Sequence, residues 1–256
     1  NGWYVNAWLR AYEVTGDEAF LTAARAGFAD LLPGWDDTCG GGLWWNQDRR
    51  YKNAITTGLF LLAAARLARV RPDEAAYAQW AQRAWEWFDA VGLINRDNLV
   101  NDGLENCRNN GGTTWTYNQG IVISALVELW RLTGARAHLD RAHAIATAAT
   151  THLVHPNSSI LREPSEPDCD KDQEIFKGVL AQGLGRLCRA DPARSAAHLA
   201  VLTANADAVW HLARDRHDGF GLAWSGPPGR VTPATHASAT LLLGEVALTL
   251  ATGAPA

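Results

Sequence analysis

Two neighbouring carboxylates, Asp36 and Asp37, share the stretch GWDDTCGGGLWWNQDRRYKN (Gly34 to Asn53) with Trp44, Trp45, Lys52 and Asn53. Carboxylate, ammonium and amide groups exchange hydrogen bonds with hydroxyls, and flat indole faces cover the apolar side of a pyranose ring. The chemistry such a set can do is sugar recognition. A polar, aromatic-rich loop has no core of its own to build, and loops of this kind carry function when a rigid scaffold presents them. Three more loops bring the same residue types. The second carries Trp115, Tyr117 and Asn118 (TTWTYNQG), the third Asp172, Phe176 and Lys177 (DKDQEIFKG), and the fourth leads through Trp224 to His236. With carboxylates to spare, these candidates point to glycoside hydrolysis, in which two carboxyl groups flank the scissile bond.

Each candidate also has a plainer role open to it. Asp36 or Asp37 can cap a turn, and one of Trp44 and Trp45 points inward if that segment is extended. Asn53 and Asn118 stand where a helix N-cap belongs. Asp172 can cap the helix that carries Lys177, and His236 can be a core imidazole.

The elements that position these loops are helices. Apolar residues recur at helical spacing from Trp3 to Val14 and, after Thr15-Gly16-Asp17, from Phe20 to Leu31. Ala54 to Val70 is almost wholly apolar, as a helix buried on most sides must be, and Asp73 to Ala90 is more polar. The alternation repeats through Asn118–Leu132, a partner reaching about Leu153, Ile175–Ala190, Pro192 to about Arg214, and Ala234–Thr252. An apolar helix, a short turn, a polar helix and a long loop thus recur with a period of roughly 55 to 65 residues. That pattern predicts an all-α fold, an (α/α)6 toroid of helical hairpins with all the long loops on one face. About nine helices are visible where a closed ring of six hairpins needs twelve. The expectation is one α/α-barrel domain over residues 1–256, lacking an N-terminal hairpin and a final outer helix.

Composition narrows the function classes. A formal net charge of -4 leaves no basic footprint for nucleic acid, and no apolar run approaches the ~18 residues of a spanning helix. Twelve tryptophans are more than a core of this size needs, and a carbohydrate site accounts for part of the excess. Cys39, Cys107, Cys169 and Cys188 have no paired C-x-x-C spacing, so neither a metal nor a cofactor is expected. One or two disulfides in an exported protein and free thiols both remain open.

The motifs GWDDTCGGGLWW with YKNAIT, TWTYNQG and DQEIFKG, in this order, resemble glycoside hydrolase family 76, and the resemblance covers almost the whole chain. It implies the (α/α)6 barrel, α-1,6-linked mannan as substrate, an extracellular or cell-surface location, and retaining hydrolysis by two aspartates; mannan transglycosidases share the family. The family's catalytic pair is two consecutive aspartates directly before the segment that NGWYVNAWLRAYEVTGD resembles, so it is expected just upstream of Asn1. Asp36 and Asp37 align with a different loop and are expected to bind substrate. A non-catalytic carbohydrate-binding protein is the alternative, and an epimerase or lyase on the same toroid a weaker one.

Overall fold

The computed structural model describes residues 1–253. Among them are nine α-helices: α1 (Gly2–Thr15), α2 (Glu18–Ala29), α3 (Ala54–Val70), α4 (Ala75–Ala90), α5 (Thr116–Thr133), α6 (Arg136–His152), α7 (Phe176–Ala190), α8 (Ala196–Leu212) and α9 (Pro233–Ala251). Strand structure is limited, among the described residues, to a two-residue hairpin, β1 (Leu104–Glu105) with β2 (Arg108–Asn109), and scattered bridges.

Local chemistry sets the helix boundaries. Gly16 ends α1 in the left-handed region at φ 70°, a conformation glycine adopts without a Cβ penalty. Asp17 then caps α2, its carboxylate accepting from the Ala19 N–H. Helix α3 is buried on nearly every side, whereas α4 buries only Ala81, Ala84, Trp87 and Phe88.

The contacts divide the chain into two compact units. The first holds α1 to α4, the β-hairpin and the end of α5. Here α1 pairs with α2, α3 with α4, and α1 also lies on α3. Its core stacks Phe28 on Phe60 at 4.8 Å and sets Trp35, Trp80 and Trp87 around them. The second unit holds the start of α5, α6 from Leu139 onward and α7 to α9, with α7, α8 and α9 mutually packed.

Cysteine chemistry, open from sequence, resolves into one bridge. Cys39 and Cys107 form a disulfide across 68 residues, both inside the first unit. Cys169 and Cys188 are free thiols.

No uninterrupted apolar run of spanning length occurs, but α9 is long and apolar enough to cross a membrane by length and composition alone. In the fold its Thr235, Ser238, Leu242 and Val246 face is buried and α9 packs on α7 and α8, while Leu248 and Leu250 are exposed.

Candidate functional site

In the first unit the Gly34–Asn53 loop is built around Lys52. The loop folds back on itself through bridges between Trp35 and Leu43 and between Trp44 and Lys52. This carries the Lys52 ammonium, 2% exposed, inside the loop. It donates to Asp36 Oδ1 at 2.8 Å, to the Thr38 carbonyl at 2.6 Å and to the Gly41 carbonyl at 2.7 Å. Three N–H donors have three protein acceptors, so Lys52 has none left for a ligand. The glycine run is required by the same fold: Gly42 sits at φ +83°, and a Cβ there would lie 2.4 Å from the Trp87 ring. The disulfide ties the loop to Cys107 in the two-residue turn between β1 and β2, and the Trp87 indole donates to the Cys39 carbonyl at 3.0 Å.

Asp36 is held just as firmly. Burial alone would raise its pKa, but hydrogen bonds from Lys52, from the Trp44 indole at 2.7 Å and from the Thr38 N–H hold it well below the usual carboxylate range. A carboxylate in that state orients Trp44; it does not carry a proton to a leaving group. Asp37 is almost fully exposed, with Arg83 at 3.3 Å. Asn53 takes its plainer role, capping α3 by accepting from the Thr56 N–H at 3.2 Å. The inward position in this segment belongs to Leu43, so neither tryptophan is core: Trp44 is half-buried and Trp45 is 61% exposed. Both line a cleft of about 680 Å³ together with Trp3, Asn46, Arg49 and Thr56.

In the second unit, Tyr117 stacks on Phe176 at 3.7 Å and Trp115 meets the same ring edge-on at 6.0 Å. Trp115 and Tyr117 are half-buried and form an aromatic ledge backed by Phe176. Asn118 is fully buried, its side-chain amide unpaired with any protein group, so it does not face a ligand at the surface. Asp172 is exposed and makes no capping hydrogen bond. His236 is exposed and stacks on Phe220 at 5.3 Å.

Lys177 and Trp224 depart furthest from a substrate-facing reading. Lys177, 1% exposed, is ion-paired to Glu166, donates to the Leu222 carbonyl at 2.7 Å and lies 4.9 Å over the Trp224 ring. Trp224 is itself fully buried. Together they clamp two loops from beneath, and neither offers a free face.

Sequence reasoning passed over Glu163, Glu166 and His155. Glu163 is fully buried; burial, opposed by hydrogen bonds from Thr116, pushes its carboxyl up to about 8, so it is protonated at neutral pH. Its acidic, proline-containing context (REPSEPDCD) has neither helical nor strand periodicity, so nothing local marked it. Among the described residues no group of three His, Cys, Asp or Glu side chains is placed to hold a metal ion.

Comparison with known proteins fits this arrangement. The model of glycosyl hydrolase family 76 matches residues 1–250. A mannan endo-1,6-alpha-mannosidase of Candida glabrata is 36% identical over 180 residues, 65% of this chain and 40% of that protein. One from Candida albicans is 33% identical over 184 residues, 66% of this chain and 40% of that protein. Among solved structures, the α-1,6-mannanase of Salegentibacter sp. HEL1_6, inactivated by replacing two consecutive aspartates and bound to α-1,6-mannotriose, superposes with a TM-score of 0.86 at 25% identity, over 97% of this chain and 75% of that one. A Listeria innocua protein gives 0.87 at 26% identity, covering all of this chain and 73% of that one. The chain spans about 40% of the length of these two curated relatives.

Proposed function

The chain belongs to glycosyl hydrolase family 76, and from that premise we propose that it binds α-1,6-linked mannan in the Trp44–Trp45 cleft as part of a retaining, two-aspartate glycoside hydrolase. The observation that carries the reading is the cleft itself: two tryptophans, one mostly exposed, over an opening of about 680 Å³, with Asn46, Arg49 and Thr56 for hydroxyls. Indole faces supply the apolar contact that a pyranose ring seeks. Asp36 is assigned to fixing Trp44, because its pKa is held far below that of a working acid. Neither Asp36 nor Asp37 is the cleaving pair on this reading. We place that pair at the Asn1 end of the same cleft, which Asn1, Gly2 and Trp3 border. There one aspartate would attack the anomeric carbon, and the other would protonate the leaving oxygen and then activate water. The Trp115–Tyr117 ledge is proposed as a further sugar contact of the second unit. The Cys39–Cys107 disulfide suits an oxidising compartment, which supports a location outside the cytosol.

Calorimetric titration with α-1,6-mannotetraose, joined to product analysis after long incubation, tests the proposal. Trp45→Ala removes an exposed side chain, so stability should hold while binding weakens tenfold or more, about 1.4 kcal/mol. Hydrolysis by residues 1–256 alone that is abolished by Asp37→Asn would return the catalytic role to the loop. No binding at all would overturn the assignment of the cleft.

A further inference from the structure

The second unit carries a half-open pocket of about 550 Å³ that the proposed function does not use, bordered by His155, Arg162, Glu166, Glu174, Ser225 and Arg230. Its volume is that of a small-ligand site, typically about 300–1,000 Å³. On its wall lies a carboxylate with one oxygen spent and one spare. Glu166 Oε1 takes the Lys177 ammonium and the Glu163 N–H. Glu166 Oε2 is buried and has no hydrogen-bond donor, although the residue is only 6% exposed. A buried carboxylate oxygen without a donor costs on the order of 1–3 kcal/mol, so a bound group that satisfies it gains that amount.

His155 Nε2 lies 3.6 Å from Oε2 and shares a hydrogen bond with Ser225 Oγ at 3.3 Å. The first separation is too long for a hydrogen bond. Burial lowers the imidazole pKa, so at neutral pH no imidazolium charge compensates Glu166. Two polar atoms 3.6 Å apart at a cavity wall suit a pair of hydroxyls on adjacent ring carbons, one donating to Oε2 and its neighbour meeting Nε2. Both wall carboxylates already have a cation, Glu166 that of Lys177 and Glu174 that of Arg230 at 3.6 Å, so a further cation gains little there, whereas a neutral ligand rich in hydroxyls can both donate and accept.

We propose that this cavity is a second carbohydrate pocket, lined by residues other than those of the Trp44–Trp45 cleft, which takes one hexopyranose unit through a vicinal diol bridging Glu166 Oε2 and His155 Nε2. The choice of mannose as that unit rests on the proposed function; the diol geometry does not.

The test is titration of the isotope-labelled protein with α-1,6-mannobiose, following backbone amide resonances of residues 222–230 for this pocket and of residues 44–49 with the Trp45 indole for the cleft. Amides 222–230 should shift and saturate. Ser225→Trp, which fills the cavity, and His155→Ala, which removes half of the polar pair, should each weaken that response tenfold or more and leave the 44–49 response unchanged. Two variants of opposite size guard against one that fails to fold, and circular dichroism checks both. Shifts at 44–49 with none at 222–230, at ligand far above a millimolar Kd, would overturn the second pocket alone. Shifts at 222–230 with none at 44–49 would uphold it and overturn the cleft. An undiminished 222–230 response in folded Ser225→Trp would also overturn it.

Discussion

Replacing Lys52 with methionine keeps the length and apolar stem of the side chain and removes only its charge and donors. Two energies then oppose the folded loop. The Gly41 carbonyl, buried, loses its donor in a place water does not reach, at about 1–3 kcal/mol. Asp36 loses the cation that held it; breaking a buried pair costs ~3–5 kcal/mol, but the Asp36 side chain is 29% exposed and keeps the Trp44 and Thr38 donors, so solvent screening leaves a fraction of that. We expect a total of about 3 kcal/mol, which for a chain of this size lowers the thermal midpoint by roughly 6–12 °C. Scanning calorimetry at pH 7 reads it directly. A second signature comes from titration. Asp36 has a folded pKa depressed below its unfolded value near 3.8, so its contribution is complete above that value and is lost as pH falls through the folded one. The wild type should therefore lose stability steadily from about pH 5 to pH 2, and Lys52→Met should show a shallower slope. A midpoint within 2 °C of wild type, or an unchanged slope, would refute the role given to Lys52.

Three further outcomes follow from the same geometry. Replacing Cys39 and Cys107 together by alanine frees a 68-residue closure, worth about 4 kcal/mol of unfolded-state entropy, so urea unfolding should show a loss near that size; a loss under ~1 kcal/mol would mean the bridge constrains little. Glu163 has its pKa raised from 4.5 to about 8, so the folded state holds the proton longer and stability drains away as pH rises across that window. Glu163→Gln should gain on wild type steadily from pH 5 to pH 8 in thermal midpoint, and a constant difference would count against a neutral buried acid. His198 is the opposite case: burial, reinforced by His143 with Nδ1 3.2 Å away, lowers its pKa from 6.5 to about 4. Its contribution is present above 6.5 and is lost as pH falls through 4, so the stability curve of His198→Gln should be flatter in that interval by circular dichroism.

What the sequence determined by itself is the local architecture and the kind of chemistry. Ala54–Val70 was readable as a buried helix and α3 has those bounds, because helical periodicity and the Asn53 cap act within a few residues. The same holds for the Gly16–Asp17 punctuation between α1 and α2. The motif-bearing loops, their carboxylates and their tryptophans were likewise visible as residue types in order. What only the tertiary structure decided is which way those residues face. Lys52 and Lys177 read as two ligand-ready cations, yet each turns into the protein, toward carbonyls 11 to 45 residues away and toward the carboxylates of Asp36 and Glu166. Trp45 is mostly exposed and Trp224 fully buried, although both stand in polar loops. Glu163 stays protonated because the packing of distant segments buries it, and that burial outweighs the opposing hydrogen bonds from Thr116, 47 residues earlier. The physical reason is common to all of these. Periodicity and capping are set by neighbours along the chain, whereas a charge's partner and an indole's exposure are set by desolvation, and only the packing of distant segments decides where water is excluded.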